Sequence, residues 1–314
     1  MKIDLAPHDR RGLMVLEGRR GTFLCTRNDL IGRFLEMYGE WAEAELALLE
    51  PLIRPGDVIA DVGGNIGAHA VPFAKWVGPK GRVLAFEPQR YLFGLLCANA
   101  VINDATALHP QNVAVGSEPG RIAIPAVDYR AVGNYSAVSL ADSKIEANAG
   151  APAGDGGPEW VSCQRLDDVF ADATRLRLIK IDVEGMEGAV LAGAQSVIRR
   201  LRPLIYLEVN RPETGDSLLD RIRALGYRSY WHGIAGFNPG NFARNAENPF
   251  GALGDVNVLC VPSEDAFVPA NLVPAQRFDD VRKLFPGILG EAGAMARWRR
   301  RFRTVLGKDR GVGG

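Results

Sequence analysis

Asp57-Val58-Ile59-Ala60-Asp61-Val62-Gly63-Gly64-Asn65-Ile66-Gly67 reads as a strand running into a glycine-rich turn. Val58 to Ala60 is a short apolar run, Asp61 closes it with a carboxylate, and a helical pattern follows from Ala68 to Val77. The next apolar run, Arg82-Val83-Leu84-Ala85-Phe86, ends in Glu87. Strand, acid, glycine turn, helix, strand, acid is the opening of an α/β sheet that binds its ligand across the carboxyl ends of parallel strands. Gly63 and Gly67 allow backbone angles that a side chain forbids and let a ligand approach the main chain. The helix N-terminus behind them favours a carboxylate.

Two strand-end acids repel a phosphate. They suit a ligand with an ammonium group and a ribose diol: Asp61 for the amino group, Glu87 for both ribose hydroxyls, and Gly63, Gly64, Asn65 and Gly67 for close approach. S-adenosylmethionine is such a ligand. The nicotinamide fingerprint G-x-G-x-x-G fits less well, because Asn65 stands at its middle glycine. A Rossmann-type nicotinamide-dependent oxidoreductase therefore stays as an alternative, and so does a cofactor-binding protein without turnover.

Lys plus Arg equals Asp plus Glu at 37 each in 314 residues, so no global attraction to nucleic acid is expected. With 47% hydrophobic residues, a sizeable core is expected. Cys25, Cys97, Cys163 and Cys260 lack metal-ligand spacing and suit reduced thiols in a reducing compartment. No apolar run is long enough for a membrane span, and the start has no signal-peptide pattern, so a cytoplasmic enzyme is expected.

Residues 1–50 read as an N-terminal cap: strands at Met14–Leu16 and Thr22–Thr26, a helix capped by Asn28 or Asp29 through Met37, and an amphipathic segment Glu43–Ile53. Residues 51–265 alternate strand and helix, with strands at Val58–Asp61, Arg82–Glu87, Gln111–Val115, Leu178–Asp182 and Leu204–Glu208. A single helix is expected at Gly188–Arg200. That alternation predicts a parallel sheet covered on both faces. Tyr227–His232 and Val256–Val261, joined by a long Asn/Gly/Pro-rich loop, predict a closing antiparallel pair. Short antiparallel strands are expected within an insertion at 118–165, at Arg121–Pro125, Ser136–Leu140 and Trp160–Arg165. Residues 266–314 read as an extension with a basic finish, Arg297-Trp298-Arg299-Arg300-Arg301-Phe302-Arg303. That finish suits a solvated helix face or peripheral contact with an anionic membrane.

The chain resembles the FkbM family of S-adenosylmethionine-dependent methyltransferases. The resemblance rests on Pro55 to His69, Val83 to Pro88, Leu166-Asp167-Asp168, Leu178 to Glu187 with its Ile-Asp-Val-Glu-Gly-Met-Glu run, and Ile205 to Asn210. It implies a class I, Rossmann-like methyltransferase sheet of seven mixed strands with a final antiparallel hairpin. It also implies methyl transfer to a hydroxyl of a sugar, glycan or natural product, and suggests that Asn134-Tyr135-Ser136 borders the cofactor.

Methyl transfer needs an aligned acceptor and a group that removes its proton. Asp182 is one candidate, as an orienting group for acceptor or cofactor, against a plain helix cap. Glu184 and Glu187 crowd the same turn, and three acids so close need a cation or donors among them. Lys180 is one partner, although a residue within a strand can also point elsewhere. His69 and His232 are the histidine candidates for a general base. Trp231 beside His232 reads either as a sugar-stacking platform or as core. Asp182, Glu208 and Asn210 form a weak oxygen-ligand set for Mg²⁺. The acceptor pocket is expected between residues 1–50 and the late loop 232–255.

Overall fold

The computed structural model describes residues 2–4, 12–135, 158–286 and 288. The expected strand at Ser136–Leu140 and the basic finish lie outside these residues.

The chain begins with an antiparallel sheet of β1 (Lys2–Asp4), β2 (Leu13–Glu17) and β3 (Thr22–Thr26). Asp29 caps α1 (Leu30–Tyr38) by accepting from the Ile31 N–H, and Gly39 ends it in the left-handed region. α2 (Glu43–Leu49) turns into a short 3₁₀ segment at Glu50–Leu52, where Pro51 interrupts the donor ladder. Met14, Phe23, Cys25, Leu46 and Leu49 share one buried core with Ile59, Phe73 and Leu96.

The main sheet follows: β4 (Val58–Val62), α3 (Ala70–Val77), β5 (Arg82–Phe86), α4 (Arg90–Ile102) and β6 (Leu108–Gln111). A side sheet of β7 (Ala114–Val115), β8 (Gly120–Ile124) and β9 (Glu159–Gln164) interrupts it. Then come α5 (Leu166–Val169), β10 (Leu178–Ile181), α6 (Glu187–Ala192), α7 (Gln195–Leu201), β11 (Leu204–Glu208) and α8 (Pro212–Ala224). β12 (Tyr227–Ala235), β13 (Gly254–Pro262), β14 (Val273–Pro274) and α9 (Asp279–Leu284) close the described chain. The order across the main sheet is β14-β12-β13-β11-β10-β4-β5-β6. The five strands from β6 to β11 are parallel, and β13 and β12 pair antiparallel. The mixed sheet and the closing hairpin are as expected; the described sheet has eight strands rather than seven, the two-residue β14 adding an edge to β12. The described part of the C-terminal extension thus joins the sheet, and its Phe278 and Val281 are buried in the core.

Two strand and helix expectations need correction. The segment Gln111–Val115 is not one strand: the ladder ends at Gln111, and Ala114–Val115 pairs with Cys163–Gln164 in the side sheet. Between them Asn112 donates to the carbonyls of Glu87 and Pro88 at 2.9 and 3.0 Å, which turns the chain across the strand ends. The helix expected at Gly188–Arg200 is two helices. The Gly193 carbonyl accepts from Asp167 N–H, and Asp167 Oδ1 accepts from Val197 N–H, so a polar clip from α5 holds the break.

Side-chain alternation divides the sheet between two cores. Ile59, Leu178 and Leu204 face the N-terminal segment, whereas Ala60, Ile179 and Ile205 face α5–α8. The same period puts Asp61, Lys180 and Tyr206 on the face of the N-terminal segment, as direct cross-strand neighbours.

Candidate active site

The turn between β4 and α3 is built by backbone conformation. Gly63 and Gly67 both have φ +89°, and Asn65 sits at φ +47°. A Cβ on Gly63 would run into the Asp182 carbonyl, so a side chain there is excluded by space as well as by angle. Asn99 pins this turn from below: its amide donates to the carbonyls of Ile66 and Leu24 at 2.8 and 3.0 Å. One buried amide thus ties the turn to the N-terminal sheet.

Glu87 lies next to the turn. Its Oε2 accepts from Asn65 N–H at 2.9 Å and its Oε1 from Gln89 N–H at 2.8 Å. Each oxygen keeps a lone pair for a further donor. Burial pushes the Glu87 carboxyl up to about 7, against the pull of those two N–H groups. A cavity runs past it, lined by Gly63, Gly64, Asn65, His69, Glu87 and Asp182 among others. Phe86, Val113, Val115 and Met186 give the same cavity an apolar side, suited to a flat heterocycle. Gln89 also lines it and donates to the Tyr135 carbonyl, so Tyr135 supports the wall from behind.

Asp61 is fully buried, and neither carboxylate oxygen has a hydrogen-bond donor among the described residues. Lys180 Nζ stands 3.7 Å from Asp61 Oδ1 and 3.2 Å from Asp182 Oδ2. Burial alone would lower the Lys180 ammonium, but Asp182 and Asp61 hold it above its ordinary value. Burial raises the Asp61 carboxyl, and Lys180 opposes the shift. Lys180 therefore points into the site, not away from it. The crowded turn is neutralised piecemeal: Asp182 by Lys180, Glu184 by Arg211 at 3.5 Å, and Glu187 by the Gly185 N–H at 2.8 Å.

Asp182, Glu184 and Glu208 bring carboxylate oxygens within 4.8 Å of one another. Asn210 is not turned to this cluster as an oxygen donor. Its Oδ1 accepts from Val256 N–H, and its Nδ2 donates to Glu208 and Asp255. Burial raises Glu208 well above the carboxylate range, Glu184 to about 8 and Asp255 to about 7.

His69 is buried at the start of α3, with Nε2 3.0 Å from Glu45 Oε2. His232 is bonded through Nδ1 to the Tyr206 hydroxyl at 2.8 Å, and burial lowers its imidazole below the usual range. Trp231 is 1% exposed and packs edge-on against Phe278, so of its two readings the core one holds. Trp41 is an aromatic that two cavities share: it lines the one above and also an adjoining cleft walled by Phe34, Glu45, Phe237, Asn238 and Asp255. The walls of that cleft come from the N-terminal segment and the late loop. Trp41 and Glu45 were missed from sequence, although a carboxylate beside Leu46 on the apolar stripe of α2 was a usable signal.

The family model described as "Methyltransferase FkbM domain" matches residues 61–229. The chain belongs to the FkbM methyltransferase domain family. The 31-O-demethyl-FK506 methyltransferase FkbM of Streptomyces tacrolimicus is 34% identical over 161 residues, which are 46% of this chain and 61% of that relative. The chain thus spans about three-fifths of the curated relative's length. Among solved structures, methyltransferase FkbM from Methylobacillus flagellatus aligns with 65% of this chain and 43% of its own, at 17% identity and TM-score 0.40. An S-adenosylmethionine-dependent O-methyltransferase from Thermotoga maritima aligns with 81% and 79%, at 11% identity and TM-score 0.40. Among the described residues of this FkbM-family chain, no helix is long and apolar enough to cross a membrane.

Proposed function

We propose that this chain transfers the methyl group of S-adenosylmethionine to a hydroxyl of a sugar, glycan or natural product. The observation that carries this reading is Glu87: a buried carboxylate oriented by two backbone N–H groups, beside a glycine turn and an apolar slot. Glu87 would accept from the ribose diol, and Phe86, Val113 and Val115 would flank the adenine. The turn at Gly63–Asn65 would approach the amino-acid end, with Asp61, Lys180 and Asp182 setting the charge beneath it. Bound there, the cofactor supplies an electrophilic methyl group; the protein supplies alignment and a proton acceptor. The relative named for 31-O-demethyl-FK506 supports an oxygen acceptor. The cleft beside Trp41 would hold the acceptor. A cytoplasmic setting is the matching reading, since all four cysteines are free thiols.

The deciding experiment is transfer of labelled methyl from S-adenosylmethionine into a cell extract, followed by identification of the product. Label in a hydroxyl-derived ether is the expected result. Hydride transfer to either nicotinamide, with no methylated product, would favour the oxidoreductase. Tight cofactor binding without any product would favour a non-catalytic protein. The converging oxygens of Asp182, Glu184 and Glu208 favour one further reading, in which a divalent cation such as Mg²⁺ holds the acceptor hydroxyl. Chelation would then abolish transfer and added Mg²⁺ restore it; transfer untouched by chelator removes the metal.

Cofactor binding should depend on pH through Glu87. Its folded carboxyl titrates near 7, and a diol donates only to the ionised form without competition. Affinity for S-adenosylhomocysteine is therefore expected to rise with pH through the neutral range. Below it, affinity falls by up to about tenfold per pH unit. Titration calorimetry across that range checks this, and a flat profile would remove Glu87 as the diol acceptor.

A further inference from the structure

Glu45 and His69 come from separate parts of the chain and meet at the boundary between two cavities. His69 lines the cavity that holds Gly63, Asn65 and Glu87; Glu45 lines the adjoining cleft; Trp41 lines both. His69 Nε2 and Glu45 Oε2 stand 3.0 Å apart, and each residue is 7% exposed. Packing of α2 does not account for this pair. Leu46 and Leu49 on the same helix, 1% and 0% exposed, already anchor it in the core.

A carboxylate that accepts from Nε2–H fixes the tautomer of an imidazole and leaves the lone pair on Nδ1. Among the described residues, none hydrogen-bonds His69 Nδ1. The other candidates are otherwise engaged. Lys180 holds Asp182, and His232 spends its Nδ1 on Tyr206 and lines neither cavity.

We propose that His69 Nδ1 is the base that takes the proton of the acceptor hydroxyl, and that Glu45 is the positioning residue that sets its tautomer. The proposal rests on the methyl-transfer reading above. In the step, the acceptor oxygen forms a bond to the methyl carbon as its O–H proton moves to Nδ1. The methyl–sulfur bond breaks with its electron pair left on sulfur. One positive charge is lost from the sulfonium and one appears on the imidazolium, beside the Glu45 carboxylate. Water then removes the proton.

The test uses the full chain, S-adenosylmethionine labelled in its methyl group, and the extract that supplies the acceptor. Nitrogen NMR of the imidazole should find the His69 proton on Nε2 in the wild type, with Glu45→Gln shifting the tautomer balance. Glu45→Gln should slow transfer by about tenfold or more and His69→Asn by roughly 10²–10⁴-fold. Both should bind S-adenosylhomocysteine within about threefold of wild type. Added imidazole should restore part of the transfer lost in His69→Ala, which a merely structural role would not allow. A wild-type proton on Nδ1, or transfer by Glu45→Gln within about twofold of wild type, overturns the assignment. No label with the wild type overturns the methyl-transfer reading itself, and the proposal with it.

Discussion

Replacing Glu87 with alanine lowers affinity for S-adenosylhomocysteine by about 100-fold or more. Two ribose hydroxyls lose a charged acceptor, and hydrogen bonds to a charged group contribute roughly 1.5–3 kcal/mol each. Their sum is about 3 kcal/mol at the lower end, which is two decades in the dissociation constant. Alanine also frees the Asn65 and Gln89 N–H groups, both now held by Glu87, so the turn keeps only its backbone bonds from Gly63 and Gly64 to the Phe86 carbonyl. Glu87→Gln separates the two effects. Its amide oxygen can keep one of these bonds, so its loss should be smaller than that of alanine. Calorimetry reads both variants, and alanine affinity within about threefold of wild type would refute the ribose role.

Lys180→Met is expected to destabilise the fold by about 3–5 kcal/mol, the usual consequence of removing one partner from a buried pair. Methionine keeps most of the volume, so the effect is electrostatic. Among the described residues Asp61 has no hydrogen-bond donor, and it would lose the Lys180 ammonium 3.7 Å away. The pH dependence gives the mechanism away. The folded Asp61 carboxyl is raised above its unfolded value, so protonation favours the folded state. That contribution is fully present below the ordinary aspartate range and is lost as pH rises through the raised folded value. Without Lys180 the raised value climbs further, so the variant recovers stability on acidification over a wider window than wild type. Adding Asp61→Asn removes the stranded charge and should restore a sizeable part of the loss. Urea unfolding at neutral and acidic pH checks all three chains. A single variant within about 1 kcal/mol of wild type at pH 7 would show that the pair carries little of the stability.

The strand-end acids were legible because short-range rules govern them. A period of two, an acid at the end of each run and glycines where positive φ is needed make Asp61, Gly63, Gly67 and Glu87 readable in order. The split at Gly193 was not legible, since an apolar helical pattern runs straight through it. The clip that breaks the helix comes from Asp167, which lies in another element. Trp231 stayed open for a similar reason: an aromatic on an edge-proximal strand reads either way until Phe278 from the C-terminal extension is seen to cover it.

The sequence by itself determined the parallel α/β sheet, the closing hairpin, the glycine turn and Glu87 beside it, because each depends on residues near one another in the chain. Only the tertiary structure decided which charges face one another: Lys180 between Asp61 and Asp182, Glu45 on His69, Asn210 turned to Glu208 and Asp255. Those pairings depend on cross-strand register and on how the N-terminal segment folds over the sheet. Burial then fixes their protonation, and local pattern holds no information about either.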